Sequence, residues 1–144
     1  MLLQKETNPA LNTVTAYGDD YIEINKTRHQ HSIYFMPEGE IHELKIKSYS
    51  DFTTETLQNL TGVRPATKDA MAFLDGATHS LENSEQIEVL LIGTGAQQHF
   101  LPITVTSDLL SLGIGVEVMS SQAAARTYNI LMSEGRRVVA ALIL

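Results

Sequence analysis

Cysteine and tryptophan are both absent from this chain of 144 residues. Without cysteine the protein can form no disulfide, no thiolate nucleophile and no cysteine-ligated zinc site. Basic residues are also scarce, since ten Lys and Arg stand against 17 Asp and Glu and give a formal net charge of −7. Nucleic acids and anionic lipid surfaces are bound through clustered positive charge, so we expect neither as a partner.

Long apolar runs are missing as well. No segment approaches the roughly 20 apolar residues that a membrane-spanning helix needs, so we expect no membrane insertion. The first residues, Met1–Glu6, become polar at once, and they lack both the apolar centre of a signal peptide and the arginines of a mitochondrial presequence. We therefore expect a cytoplasmic protein.

The length and the hydrophobic content, 43% of all residues, fit one globular domain with its own core. We expect this single domain to cover residues 1–144 in four consecutive parts. They are a flexible arm (1–12), an antiparallel β-meander (13–49), a region of short helices and loop (50–86) and a β-loop-α-β-α-β core (87–144).

The meander prediction rests on alternating polarity. Segments 13–17 and 21–24 alternate around the turn residues 18–20, which predicts a β-hairpin. Two further strands are expected at 32–36 and 41–49. Strands that alternate in this way are typical of antiparallel sheets with one solvated face.

The next region carries two helix-capping signals. Thr53 is placed to cap a short helix at 54–60, and Thr67 is placed to cap another at 68–74. Residues 77–86 are polar without a repeating pattern, so we expect a mobile surface loop there.

The C-terminal core has the clearest pattern in the sequence. The apolar run 87–95 ends in Gly-Thr-Gly and predicts a strand buried on both faces, as in parallel sheets covered by helices. After a long connection we expect a short helix at 106–112, a strand at 115–119, a helix at 122–133 and a last strand at 138–144. This order of elements is typical of an α/β fold.

A strand that leads into Gly93-Thr94-Gly95 resembles a dinucleotide-binding loop. That motif needs a third glycine where the chain has Gln98, and a helix directly after the loop, where Pro102 intervenes. Glu117 follows at a suggestive distance but lies inside the next strand. The glycines are therefore better explained by turn geometry, and we predict no cofactor.

Catalytic and metal-binding patterns are incomplete. His29 and His31 would share one face of a strand, but the sequence offers no third ligand, so a solvated strand edge is the better interpretation. A Gly-x-Ser-x-Gly nucleophile motif and a phosphate-binding P-loop are also missing. We assign no catalytic residue and no metal ligand.

Two interpretations remain open for Glu117, a charge between two valines in a predicted strand. It could form an ion pair with Arg126 that ties the following helix to the sheet. Alternatively, it could act as an acid or base in a small pocket that binds an anion at the helix start, with Arg126 as charge partner. The candidate ligand-binding residues are Gly93, Thr94, Gly95, Glu117, Ser120, Ser121, Arg126 and Asn129.

Three blocks of the core resemble a known family of small domains of unknown function. They are Leu91–Gly95, Gly113–Met119 and Arg126–Leu131, the last followed by Glu134-Gly135-Arg136. Animal members of the family include mitochondrial complex I assembly factor 3 and an adipogenesis-associated protein with this type of domain.

The resemblance implies a three-layer α/β fold with a mixed central sheet flanked by helices and additional antiparallel strands. It implies no enzymatic activity and a role in complex assembly through protein contacts. The family often has Asp-Thr at Ser120-Ser121 and Cys at Ala125, so any cysteine-dependent chemistry is absent here. The 53–86 segment is longer than in the family, and we transfer nothing onto it.

Two functions follow as hypotheses. The first is a non-catalytic cytoplasmic protein that binds a protein partner as a complex-assembly accessory factor, with self-association into a homo-oligomer compatible with it. The alternative is a small anionic-ligand-binding protein or enzyme with a pocket at the Gly93–Gly95 loop that uses Glu117 and Arg126.

Overall fold

The computed structural model describes residues 11–66 and 80–144. Within these ranges the chain forms ten strands, three α-helices and one turn of 3-10 helix at Tyr49–Asp51. The strands are β1 (Val14–Tyr17), β2 (Ile22–Ile24), β3 (Thr27–His29), β4 (Ile33–Phe35), β5 (His42–Glu43), β6 (Arg64–Pro65), β7 (Leu81–Glu82), β8 (Val89–Gly93), β9 (Gly115–Met119) and β10 (Val138–Leu142). The helices are α1 (Thr54–Thr61), α2 (Ile103–Ser111) and α3 (Ser121–Ser133).

The central sheet has five strands in the order β5-β4-β10-β8-β9. Strands β10, β8 and β9 pair in parallel with one another, whereas β4 pairs antiparallel with both β10 and β5. The chain moves outward from β8 to β9 through α2 and returns from β9 to β10 through α3. Both crossovers are right-handed, but they run in opposite directions across the sheet. The two helices therefore lie on opposite faces of the sheet. The predicted mixed central sheet flanked by helices is confirmed.

A separate antiparallel sheet is formed by β1, β2 and β3. The predicted meander is therefore divided, since its first strands form this small sheet and β4 and β5 join the central one. Strand β3 was not predicted from the sequence. It follows a two-residue turn in which Asn25 and Lys26 both have positive φ, 52° and 73°, the conformation that suits tight hairpins.

Two cores lie on the two faces of the central sheet. The first is covered by α1 and α2 and includes Leu57, Leu90, Ile92, Leu109, Val139 and Ala141. The second is covered by α3 and the small sheet and includes Ile22, Phe35, Leu91, Ala125, Tyr128 and Leu142. Every residue of β8 and β10 is buried because both strands are covered on both sides. The result is the expected three-layer arrangement.

Helix α2 begins earlier than predicted, at Ile103 instead of Thr106. Pro102 occupies its N-cap position with φ of −61°, where the missing N–H costs nothing because helix starts leave N–H groups without partners. Gly113 follows its end with φ of 81°, as expected. Pro102 therefore starts this helix, although the sequence analysis placed it in a connection.

Helix α1 agrees with its capping signals: Thr53 Oγ1 accepts a hydrogen bond from the Thr56 N–H, and Gly62 ends the helix with φ of 74°. The fourth expected strand is limited to β5. The predicted helix at 68–74 and the first residues of the predicted loop 77–86 lie outside the described residues.

Residues 1–10 of the predicted arm also lie outside the described ranges. Asn12, at the end of that arm, is buried, and its amide donates to the carbonyls of Met36 and Gly39. Within the described part of the chain the longest helix is α3, with 13 residues, and none is both long and apolar enough to cross a membrane.

Candidate functional site

The strand–helix junction, which we define as Gly93, Thr94, Gly95, Ser120 and Ser121, lies where β8 ends and α3 begins. The carboxyl ends of β8 and β9 are at the same edge of the sheet, so the loop after β8 meets the helix that follows β9. The Gly95 N–H donates to Ser121 Oγ over 2.9 Å, and the Ser121 N–H donates back to the Gly95 carbonyl over 2.8 Å. The sequence correctly placed these five residues together.

Both glycines of the junction are required by its geometry. A Cβ added at Gly93 would lie 2.7 Å from the Cα of Ser121 and 3.0 Å from a methyl group of Leu142. Gly95 has φ of 101°, which other residues rarely adopt. The first glycine lets the helix approach the strand, and the second makes the turn.

The polar groups of the junction bond mostly to one another and to the adjacent backbone. Ser121 Oγ also donates to the Ile143 carbonyl, and Ser120 Oγ caps α3 by accepting from the Ala123 N–H over 3.3 Å. Thr94 Oγ1 donates to the Gln97 carbonyl over 2.6 Å and accepts from the His99 N–H over 3.1 Å. Groups that would otherwise face an anion at the helix start are therefore already paired within the chain.

A small cleft of about 120 Å³ lies beside the junction. Its lining residues come from the first hairpin, the junction and the C-terminus: Gly18, Asp19, Ile22, Gly95, Ala96, Ser121, Gln122, Ile143 and Leu144. The one ionisable side chain among them is that of Asp19, an acid. A negative charge at this position repels an anionic ligand.

Glu117 and Arg126 do not meet. Glu117 is exposed on β9 at the edge of the sheet, where among the described residues no side chain bonds to it. Arg126 donates to the Tyr17 hydroxyl over 2.9 Å, on the other flank of α3. One flank of α3 faces β9, since Thr127 contacts Met119 there. The opposite flank faces β1, since Asn129 contacts Val14 there. Neither the proposed ion pair nor a shared pocket is formed.

Asn129 holds the small sheet against α3. Its amide nitrogen donates to the Val14 carbonyl over 2.8 Å, and its amide oxygen accepts from the Val14 N–H over 2.9 Å. At the preceding position of the same helix, the buried Tyr128 hydroxyl donates to the Asn12 carbonyl over 2.7 Å, and burial raises the pKa of Tyr128. Of the predicted ligand-binding residues, Asn129 and Arg126 thus connect layers of the fold and lie apart from the junction.

The described histidines are not gathered around one point. His29 and His31 lie near each other, with ring centroids 6.1 Å apart, and burial and then the charge of His31 lower the pKa of His29. His99 stacks on Tyr49 at 4.1 Å. In residues 11–66 and 80–144, no three His, Asp or Glu side chains are grouped to hold a metal ion.

The sequence analysis missed a different surface, beside β9. Phe100, Ile103 and Leu110 expose 79%, 67% and 44% of their surface, although each is large and apolar. They come from the loop before α2 and from α2 itself. The signal was present in the sequence, because Ile103 and Leu110 are seven residues apart and share one side of a helix once its true start is known.

Comparison with known proteins places the chain in a family. The model of the family described as "Protein of unknown function (DUF498/DUF598)" matches residues 14–143. The chain belongs to this family. The resemblance found in the three core blocks is confirmed, although those blocks make up less than half of the matched range.

A solved structure of high similarity is the solution structure of a Bordetella pertussis protein described as a Mth938-like domain. It is 48% identical to this chain, with a TM-score of 0.74, and the match covers 99% of this chain and 92% of the other. The three-layer fold is therefore shared with a protein studied by experiment.

Two animal relatives are named NADH dehydrogenase [ubiquinone] 1 alpha subcomplex assembly factor 3. The one from Danio rerio is 48% identical over 58 residues, 40% of this chain and 33% of that protein. The one from Bos taurus is 27% identical over 142 residues, 99% of this chain and 65% of that protein. In both cases this chain matches less than two thirds of the relative's length.

Proposed function

We propose that this protein is a non-catalytic, cytoplasmic accessory factor that binds a protein partner during the assembly of a larger complex. The names of the two animal relatives support an assembly role. The expected location rests on the sequence alone. The alternative, ligand chemistry at the junction, is less well supported because the polar groups there bond within the chain.

The observation that carries the proposal is the exposed apolar surface beside β9. Among the described residues, four large apolar side chains are strongly exposed, and three of them, Phe100, Ile103 and Leu110, come from one short segment. Apolar groups gathered in this way are a common feature of protein-binding surfaces, because their removal from water favours association.

Cross-linking in the native organism tests the proposal. The tagged chain is cross-linked in cells and purified, and bound proteins are identified by mass spectrometry, beside a variant carrying Ile103→Ser and Leu110→Ser. We expect the same partner to be recovered with the wild type and lost with the variant, and an incomplete complex to accumulate when the gene is deleted. Recovery of no partner, together with unchanged complexes in the deletion strain, would contradict an assembly role.

Location is measured in the same cells. Fractionation should recover the tagged chain and its partner in the cytoplasmic fraction. Recovery in the membrane or periplasmic fraction would replace the cytoplasmic part of the proposal and leave the binding role to be judged by the cross-linking result.

A second candidate function is the binding of a small anion in the cleft beside the junction, which the position of the cleft at the start of α3 favours. Titration with inorganic phosphate, followed by amide chemical shifts, tests it. Saturable shifts confined to Gly95 and Gln122 would support this function. We expect none, because Asp19 lines the cleft and the neighbouring N–H groups of Gly95 and Ser121 are already bonded.

A further inference from the structure

We propose that the outer edge of β9 receives an extended segment of the partner protein as a sixth strand of the central sheet, with a basic side chain facing Glu117. This inference rests on the proposed function and specifies where and how the partner binds. Strand addition to an open sheet edge is a recurring mode of peptide recognition, in which backbone hydrogen bonds supply affinity and alternating side chains supply specificity.

The first observation is that β9 is an edge strand whose outward backbone groups are mostly unpaired within the described part of the chain. The Gly115 N–H donates inward to the Glu88 carbonyl, and the Met119 carbonyl accepts from Thr94. Since backbone groups alternate in direction along a strand, those of Val116 and Val118 point outward. The Val118 carbonyl accepts from the Gln98 side chain over 2.8 Å, which confirms this direction and covers one group. No other group in residues 11–66 and 80–144 bonds to the outward backbone groups of Val116 or to the Val118 N–H.

The second observation is the orientation of α2. Its Thr104 carbonyl accepts from the Thr54 hydroxyl, and its Asp108 carboxylate accepts from the Gln58 amide, each over 3.1 Å, so this flank faces α1. At about 3.6 residues per turn, Ile103 and Leu110 lie two turns apart on the opposite flank. Because α2 packs on β9 and α1 lies toward β10, that flank borders the β9 edge.

An apolar surface, which we call the apolar ledge and define as Ile103, Leu110, Val116 and Val118, therefore lies beside the outer edge of β9. Val116 and Val118 point to the α2 face of the sheet and are partly exposed. Together with Ile103 and Leu110 they offer apolar contacts to every second side chain of an added strand.

Charge selects the kind of partner. Glu117 pairs in register with Leu91, so its side chain points to the α3 face, opposite to the ledge. An antiparallel second copy centred on this strand would place two Glu117 carboxylates opposite each other, which disfavours self-pairing. A partner strand with Lys or Arg at that position would gain a cross-strand ion pair, and the net charge of −7 attracts a basic segment.

The opposite edge of the sheet does not offer the same features. Strand β5 has only two residues, and the exposed Lys45 and Lys47 follow it. Short edge strands flanked by lysine are a common way to prevent strand addition. The β9 edge is therefore the proposed binding site, and the β5 edge provides the control positions for substitution.

The test uses a displayed library of random extended peptides, selected against the full chain. We expect peptides that place a basic residue among alternating apolar ones, and that slow hydrogen exchange at the Val116 and Val118 amides when bound. Val116→Pro removes an outward N–H at an edge position that tolerates proline, and should weaken binding about tenfold or more. Lys45→Pro, beside the other edge, is the matched control and should leave binding unchanged.

A charge exchange tests the partner chemistry. Glu117→Lys should weaken the selected basic peptide about tenfold, and a peptide with Glu at the basic position should regain the affinity. Glu43→Lys, an exposed glutamate on β5, is the control. Three results would overturn the proposal. Equal binding to the Val116→Pro variant, or selection of no peptide, would show that the edge binds no added strand. A dimer in sedimentation that this substitution abolishes would show that the edge binds a second copy.

The two proposals fail separately. If the partner captured in cells is retained by the folded Val116→Pro variant, the assembly role stands and the β9 edge is not its site. If peptides bind the edge as expected while deletion of the gene leaves all complexes unchanged, the edge is a binding surface but the assembly role is wrong. Thermal unfolding of each variant establishes that it is folded.

Discussion

The strand–helix junction and the outer edge of β9 are neighbours in the fold, but they differ in how their polar groups are satisfied. At the junction, Ser121 bonds to Gly95 and Ile143, and Gly93 lets the helix approach the strand closely. Along β9, the backbone groups of Val116 face outward, and the apolar side chains of Ile103 and Leu110 remain exposed. The polar groups of the junction thus find their partners within the chain, whereas the outward backbone groups of Val116 have none among the described residues.

This difference shows why a sequence motif is a weak guide to a site. Glycine and serine attract attention because they often bind ligands, yet the same residues serve equally well to join a strand to a helix. The β9 edge consists mostly of ordinary apolar residues, and it becomes notable because, within the described chain, Gln98 alone bonds to its outward backbone groups. The substitutions below test the contrast, from the largest expected effect to the smallest.

Gly93→Ala should destabilise the protein by about 2–3 kcal/mol, because the new methyl group would lie 2.7 Å from the Ser121 Cα and the backbone must move. Gly115→Ala is the matched control, since the nearest atom to its added Cβ is 3.7 Å away. Urea unfolding should show the control within about 0.5 kcal/mol of the wild type or slightly above it. Equal stability of the two variants would show that the junction is not closely packed.

Ser121→Ala should cost about 2 kcal/mol, because it leaves the buried Ile143 carbonyl and the partly buried Gly95 N–H without this partner. Ser133→Ala, on the exposed end of the same helix, should change the free energy of unfolding by less than about 0.5 kcal/mol. If Ser121→Ala were neutral in urea unfolding but abolished partner capture, the junction would be a binding site after all.

Asn129→Ala should destabilise by about 1 kcal/mol, because it removes the two bonds that hold Val14 against α3. Hydrogen exchange at the Val14 amide should accelerate, while exchange in β8 should change little. Arg126→Ala, which removes only an exposed contact with Tyr17, should have a smaller effect. The reverse order would show that Arg126 contributes more than Asn129 to holding the small sheet against α3.

Glu88→Gln examines an exposed contact that belongs to neither region. The hydrogen bond from Arg136 and then that from the Arg137 N–H hold the pKa of Glu88 below its ordinary value of 4.5. A lowered pKa in the folded state adds stability above pH 4.5 that is lost as the pH falls through the folded-state value. Unfolding curves from pH 7 to pH 3 should therefore converge for the two proteins at low pH. A constant difference would exclude this linkage.

Substitution of the apolar ledge should leave stability nearly unchanged. Ile103→Ser and Leu110→Ser should each shift the unfolding free energy by less than about 1 kcal/mol, because the two residues are already 67% and 44% exposed. Leu109→Ser, one residue from Leu110 but fully buried, should cost several kcal/mol. If the exposed variants were as unstable as Leu109→Ser, the ledge would belong to the core and could not serve as a docking surface.

Much of the fold could be predicted from local pattern. β9 was predicted at its observed bounds, and α3 within a residue, because glycine and a serine cap limit them. The division of the meander could not be predicted, since strand partners are chosen by distant segments: β4 pairs with β10, about a hundred residues further along the chain. The start of α2 was missed because Pro102 was interpreted as an interruption of helix instead of its first boundary.

The candidate site was predicted only in part. The convergence of Gly93–Gly95 with Ser120 and Ser121 was expected, because loops that follow parallel strands meet at the carboxyl edge of the sheet. The bonds between them depend on β8 and β9 being neighbours, which only the structure shows. The direction of Arg126 and Asn129 was not predictable, because it depends on β1 lying against that flank of α3. The apolar pattern of a helix predicts which of its faces packs against the protein, but it does not predict which element packs there.

By itself, the sequence determined the α/β class, the buried central strand, the absence of cysteine chemistry and the family to which the chain belongs. Only the tertiary structure decided that the glycine loop is closed by Ser121 and that β9 lies at an open edge. The physical reason is that apolar periodicity and turn residues act over a few positions. Whether a polar group is satisfied, or an apolar side chain is covered, depends instead on which distant segments pack against it.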